Sequence, residues 1–167
     1  MATPFKNIGI IGRVRNNGVR ETFKKLIEVL EKLHVKIYIE ADTSEILNET
    51  SHDILPREKL GEHCDMLIVI GGDGSLLHAA HIAVKQNLPV LGINRGSLGF
   101  LTDILPTELD SIANVLRGEY RIEKRFLLHT SIEIHGEKIG EDDSLNEIAI
   151  IPDAIPHMID FEIYIDD

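Results

Sequence analysis

A single cysteine, Cys64, stands in the 167-residue chain. That excludes an intrachain disulfide and a cysteine-built metal cluster. Cys64 sits just before an apolar run and reads as a buried, inert thiol. No run of about 18 or more apolar residues occurs, so no helix is expected to span a membrane. The first seven residues lack a signal-peptide profile, because the apolar stretch that follows is short and broken by Gly12, Arg13 and Arg15. These absences lead to the expectation of a cytosolic protein. Basic residues are also scarce: 17 Lys and Arg stand against 28 Asp and Glu, a formal net charge of −11. A surface of that sign repels nucleic acid and anionic lipid, and neither is expected as a partner. The acid is concentrated late, at 137–143 and 160–167, whereas the first 125 residues hold nearly all the arginine and lysine. What is present, 43% hydrophobic and 27% charged residues, suits a globular chain with one core, or one domain plus part of another.

The apolar pattern changes character along the chain. Residues 7–12 form a short apolar run closed by glycine, which predicts a buried strand. Residues 13–17 read as a polar loop. Val19, Phe23, Leu26, Ile27, Leu30 and Leu33 follow at steps of three and four, which predicts an amphipathic helix over 19–33. A second strand is expected at 35–39. Residues 41–63 are mixed. Asp42 to Glu45 can cap a short helix, and 56–63 can form another. Thr22 and Ser51 read as solvated surface. Residues 65–70 give the clearest buried strand, followed by a helix over 76–85 with Leu76, Leu77, Ala80 and Val84 on one face. A strand at 89–93, a glycine-punctuated loop at 94–100 and a helix at 107–116 complete the first part. Pro106 and Gly118 flank that last helix.

Strands alternate with helices, and the crossovers are long enough for parallel pairing. A doubly wound α/β layout is therefore expected over 1–123. Beyond it, 126–134, 145–151 and 158–165 all read as strands with no helical pattern between them, and 135–138 as a hairpin-like turn. The expectation is that 124–167 opens a second, β-rich domain. The last strand runs to the chain end without a turn, which suggests a fragment of a longer protein.

The central signal is Gly71-Gly72-Asp73-Gly74-Ser75, where the strand at 65–70 turns into a helix. Ligands of open α/β sheets bind at the carboxyl ends of the strands. Glycine lets a backbone approach phosphate closely, and the helix start adds its positive end. At net charge −11, an anionic ligand needs such local donors, or a metal. Asp73 has two readings from the residues alone. As a functional carboxylate it accepts a proton from a hydroxyl or holds magnesium. As a structural one it caps the helix. Neither the spacing of the dinucleotide fingerprint nor that of the P-loop is present.

The segment Gly71-Gly72-Asp73-Gly74 resembles the signature of the NAD kinases, which diacylglycerol and sphingosine kinases share and phosphofructokinases approach. Three further stretches narrow the resemblance. Leu91-Gly92-Ile93-Asn94-Arg95-Gly96-Ser97-Leu98-Gly99-Phe100-Leu101-Thr102-Asp103 is similar to the second block of NAD kinases. Glu123-Lys124-Arg125-Phe126 resembles the stretch that follows it, and Leu145-Asn146-Glu147 matches the family's Asn-Glu motif. The likeness is closest to the bacterial enzymes and covers residues 5–167.

That resemblance implies a phosphofructokinase-like and diacylglycerol-kinase-like fold, and phosphoryl transfer from ATP (inorganic polyphosphate in some relatives) to NAD with magnesium or another divalent cation. Asp73 becomes the proton acceptor for the 2′-hydroxyl of the adenosine ribose. Gly71 and Gly72 line the phosphate side, and Gly74 permits close backbone approach. Asn146 and Glu147 become NAD contacts, suited to an adenine edge and to ribose hydroxyls. His157 matches a further NAD-contact position in some bacterial members, or is a loop histidine. His78, one turn into the helix, lies near any bound phosphate. Phe100 lines the adenine pocket or belongs to the core. Arg13 and Arg15 meet the donor's phosphates or form a surface loop. His78 and His81 lack a third ligand, so no structural zinc site is expected.

The sequence lacks the family's Gly-Ser/Thr-Thr-Ala-Tyr motif. The resemblance therefore implies an incomplete NAD pocket, a chain that is not fully active alone, and a homodimer or homotetramer when full length. Two alternatives stand beside it: a lipid or sugar kinase of the same superfamily, and a catalytically silent nucleotide-binding module. Asn146-Glu147 and the 94–103 block count against the lipid or sugar kinase.

Overall fold

The structure, a computed structural model, describes residues 4–13, 17–95, 99–102, 104–151, 158 and 160–165. The chain divides into two compact units, Met1–Arg125 and Phe126–Asp167.

In the first unit five strands pair in parallel: β1 (Asn7–Gly12), β2 (Lys36–Glu40), β3 (Asp53–Leu55), β4 (Met66–Gly71) and β5 (Val90–Asn94). Their order is β3-β2-β1-β4-β5, with Ile8 beside both Ile37 and Met66, and Ile68 beside Leu91. The helices are α1 (Asn17–Lys32), α2 (Ala41–Leu47), α3 (Leu60–His63), α4 (Asp73–Gln86) and α5 (Ser111–Leu116), with a 3₁₀ turn at Arg57–Lys59. Alternation along the central strands sorts their side chains into two cores. Ile8, Ile10, Met66, Ile68 and Ile70 face α1 and α5 through Phe23, Leu26, Leu30, Ile112 and Leu116. Ile11, Leu67 and Val69 face α3 and α4 through Leu60, Cys64, Ala79 and Ala83. Helices thus cover both faces, as the α/β reading expects.

Burial, with the nearby Asp65 charge adding to it, pushes the Cys64 thiol up to about 12, so it is un-ionised and unreactive at neutral pH. A Cβ at Gly9 would lie 2.7 Å from Leu67 and 2.9 Å from Cys64 Sγ. Glycine there lets α3 settle onto β1.

The edges of several elements differ from the sequence reading. Helix α1 begins at Asn17, inside the expected loop, and Thr22 is buried in its inner face rather than solvated. Helix α2 begins at Ala41 without a side-chain cap. Strand β3, only three residues long, carries no periodicity that a sequence can show. Helix α4 starts directly at the end of β4, which fixes its rotation. Its buried row is Ser75, Leu76, Ala79, Ala80 and Ala83, and Val84 is exposed. Three alanines carry that face because small side chains let the helix lie close on the sheet. Residues 107–110 form successive three-residue turns, Glu108 N–H to Leu105 and Ser111 N–H to Glu108, before α5. With glycine missing at two helix ends, Asn48 and Asn87 take the left-handed position, at φ 53° and 52°.

Asp65 joins the two central strands at their start. Its Oδ2 accepts the backbone N–H of Lys6 and Asn7, both at 2.8 Å, and Asn7 Nδ2 at 3.1 Å. Asp65→Ala leaves these donors unpaired and is expected to cost about 1–3 kcal/mol. At this chain length that lowers the thermal midpoint by roughly 2–4 °C per kcal/mol. A melt followed by circular dichroism checks it, and an unchanged midpoint would show that the joint carries no stability.

The second unit contains an antiparallel hairpin of β6 (Leu128–Ile134) and β7 (Glu137–Ser144). Its turn is His135-Gly136, both at positive φ, as a type I′ connection requires. Glu137 and Lys138, expected in the turn, already belong to β7. The expected strands at 145–151 and 158–165 form no ladder among the described residues. Their side chains stand in solvent, Ile150 and Ile163 each 73% exposed. Apolar content alone makes no strand without a partner to pair with.

Candidate active site

The carboxyl ends of β1, β4 and β5 meet where the strand order reverses. Arg13, leaving β1, donates its N–H to Ile70 O at 3.3 Å, and Arg95, leaving β5, donates to Gly71 O at 2.9 Å. Both neighbouring loops are thereby fastened to the end of β4. Gly72 is the N-cap of α4, and Ser75 N–H closes the first turn on Gly72 O at 2.9 Å. No side chain caps this helix. The cap reading of Asp73 is therefore not the geometry adopted.

The Asp73 side chain instead crosses to the loop after β5. Its Oδ2 accepts the N–H of Phe100 at 2.8 Å and its Oδ1 the N–H of Leu101 at 3.1 Å. That loop is held at both ends: Ile104 bridges Ile93 in parallel, Asn94 N–H donates to Ile104 O, and Ile104 N–H donates to Gly92 O. A Cβ at Gly99 would collide with the Asp73 carboxylate, so glycine is required for this approach. A carboxylate offers about four acceptor positions. Among the described residues one on each oxygen is used, which leaves acceptor capacity for a hydroxyl.

The glycines around Asp73 divide in two. Gly71 is closed off by Ser75 Oγ, whereas a Cβ at Gly72 or Gly74 would meet nothing within 4 Å. The backbone at 72 and 74 is bare on its open side. Phe100 is 91% exposed beside the carboxylate, which corrects the core alternative. His78 lies on the exposed side of α4. Desolvation, followed by the charges of Arg13, Arg57 and His81, holds it below its ordinary value. Among the described residues no group of three His, Cys, Asp or Glu is placed to hold a metal.

Residues 8–120 match the family model described as the ATP-NAD kinase N-terminal domain. The chain belongs to the NAD kinase family. It is 50% identical over 163 residues to the NAD kinase of Pseudomonas fluorescens strain SBW25, and 50% identical to that of Pseudomonas syringae pv. syringae strain B728a. Each match covers 97% of this chain and 55% of the relative. The chain thus spans about half the length of these curated relatives. Its fold is shared with the crystal structure of yeast NADH kinase complexed with NADH, at a TM-score of 0.71 and 18% identity, over 86% of this chain and 50% of the other. A lipid or sugar kinase is not favoured by these matches.

Of the candidate site residues, Gly71, Gly72, Asp73, Gly74, His78 and Phe100 lie in the first unit. Asn146 and Glu147 lie in the second, exposed and just after β7, where Glu147 N–H donates to Ser144 Oγ and that hydroxyl donates to Glu147 O at 2.6 Å. His157 and Arg15 lie outside the described residues. Sequence reasoning missed Glu40 and Thr43, buried polar residues at the end of β2, and half-buried Arg57 of the 3₁₀ turn, which is paired with Glu40. The one signal was an acid closing an apolar strand at the carboxyl edge of the sheet. No helix among the described residues is long and apolar enough to cross a membrane.

Proposed function

We propose that the intact protein transfers the γ-phosphate of ATP to the 2′-hydroxyl of the adenosine ribose of NAD, giving NADP and ADP. One observation carries the reading. A carboxylate in a glycine-rich strand-to-helix turn, at the switch point of a parallel sheet, is aimed by two backbone N–H groups beside bare backbone. In this reaction Asp73 takes the proton of the 2′-hydroxyl. The oxygen bonds to the γ-phosphorus as the bond to the bridging oxygen breaks, and ADP leaves. Such transfer is mostly positioning and charge stabilisation. Gly72 and Gly74 form the wall along which the phosphates lie, and Gly71, closed off by Ser75 Oγ, sets the turn behind it. The start of α4 adds its positive end. Phe100 stacks on the adenine, and His78 stands near the phosphates. Asn146, Glu147 and His157 hold NAD.

By the same reading, residues 1–123 are the nucleotide-binding domain and 124–167 begin the NAD-binding β domain. The intact protein works in the cytosol as a homodimer or homotetramer. A divalent cation is expected from the family resemblance, but no ligand set for it is formed among the described residues. The test is to incubate the intact protein with ATP, NAD and magnesium and to separate the products. NADP and ADP in equal amounts are expected. ATP hydrolysis without NADP, or protection from heat by a diacylglycerol and not by NAD, would overturn the proposal.

A further inference from the structure

Asp73 and the two N–H groups that aim it belong to different elements, α4 and the loop after β5. Their separation is set where those elements rest on common ground. That ground is Gly92, in the middle of β5. Gly92 lies in register with Val69, so its bare side is on the face of the sheet that α4 covers. A Cβ there would stand 2.8 Å from Leu76 Cδ1, 2.8 Å from Thr102 Cγ2 and 3.0 Å from Thr102 Cα. Leu76 lies one turn after Asp73 in α4, and Thr102 follows Leu101 directly. The helix that carries the carboxylate and the chain that carries its donors thus sit on the same patch of β5. Both contacts are buried, with Leu76 and Thr102 each 8% exposed.

The two contacts do not yield equally. Leu76 Cδ1 is the far end of a side chain and can turn aside. The Thr102 methyl belongs to a side chain stiff at χ1, and its own backbone stands directly behind it. Two residues further on the chain is pinned, since Asn94 N–H donates to Ile104 O at 2.8 Å and Ile104 N–H donates to Gly92 O at 3.2 Å. A side chain at position 92 therefore displaces the chain at 102, and with it the N–H groups of Phe100 and Leu101. The Thr102 side chain is not held by a polar bond, because its buried Oγ1 has no hydrogen-bond partner among the described residues. Packing on Gly92 and its neighbours seats it.

We infer that Gly92 is a positioning residue for the proposed reaction. By leaving room for Leu76 and Thr102 on one patch of β5, it sets the distance between the Asp73 carboxylate and the amides of Phe100 and Leu101. It touches no reacting atom. Its effect on rate rests on the kinase reading, whereas its effect on the carboxylate rests on the geometry alone. A carboxylate that loses one of its two aiming bonds swings away from the hydroxyl it must deprotonate, and a misplacement of about 1 Å costs on the order of 10²-fold in rate.

The test compares Gly92→Ala with the wild type in the intact protein. Hydrogen exchange read by NMR, without nucleotide, is expected to show protection of the Phe100 and Leu101 amides falling at least about tenfold while the amides of β4 keep theirs. Single-turnover NADP formation at saturating ATP and NAD is expected to fall roughly ten- to a hundredfold. The same substitution is then made on Asp73→Asn. With the carboxylate gone the displaced amides have nothing to aim, so Gly92→Ala should cost less than about twofold there. Thr102→Ala decides the matter if Gly92→Ala does not fold. It only removes atoms, the unpaired hydroxyl among them, and it unseats the chain from the other side, so the same loss of protection is expected with a smaller loss of rate. Unchanged protection of both amides in whichever variants fold, or an equal loss of rate from Gly92→Ala with and without the Asp73 carboxylate, would overturn the inference. If protection falls but the wild type makes no NADP, the kinase reading fails and the positioning of Asp73 stands. If NADP forms and protection is unchanged, the positioning fails and the kinase reading stands.

Discussion

Asp73→Asn in the intact protein is expected to lower the rate of NADP formation by about 10²–10⁴-fold, the span of a lost general base, while ATP and NAD bind with little change. The asparagine keeps the shape of the side chain, and its carbonyl oxygen can still accept one of the N–H groups of Phe100 and Leu101. Its amide nitrogen cannot accept the other, so the loop after β5 loosens by one bond. The expected cost in stability is therefore modest, on the order of 1–2 kcal/mol, and a thermal melt separates it from the loss of rate. Single-turnover measurements at saturating ligands isolate the chemical step. A variant that retains near wild-type turnover would remove Asp73 from the reaction and leave it as the anchor of the loop.

Gly74→Ala is the second large effect, and it separates fold from function in the opposite way. In the first turn of α4 a Cβ at this position meets nothing within 4 Å, and alanine is the better helix former by up to about 1 kcal/mol. The variant is expected to melt at or above the wild-type temperature. The same methyl group occupies the bare backbone surface along which the phosphates are proposed to lie. Nucleotide affinity is expected to fall at least about tenfold, near 1.4 kcal/mol, with a matching loss of NADP formation. Gly72→Ala tests the neighbouring position, the N-cap of α4, where alanine is expected to lower affinity likewise but to bring no gain in stability. Calorimetric titration with ATP, run beside a melt of each variant, checks both. A stable variant with unchanged affinity would place the phosphates elsewhere.

The parts of this protein legible in its sequence were those set by local pattern. β1 and β4 are apolar runs closed by glycine, and α1 repeats its apolar residues at helical spacing, so their identity and order followed directly. The parallel α/β layout followed from their alternation. β3 and β7 were hidden for different reasons. Three residues carry no periodicity, and β7 has one large apolar residue, Ile139, among eight, so only its register with β6 makes it a strand. Residues 145–151 and 158–165 show the reverse error, because apolar pattern cannot supply a pairing partner. At the site, Asp73 and its glycines were visible because they are contiguous. The donors that aim Asp73 come from residues 27 and 28 positions later and are backbone groups, to which side-chain identity is blind. The Glu40–Arg57 pair was hidden because 17 positions separate the two residues.

A crystal structure of the intact protein with NAD bound measures the central claim most directly. The account predicts the adenosine 2′-hydroxyl within about 2.6–3.2 Å of an Asp73 oxygen, with the Phe100 and Leu101 N–H groups still on the carboxylate. A ribose bound away from Asp73, or presenting a different hydroxyl to it, would contradict the assignment of Asp73 as the proton acceptor.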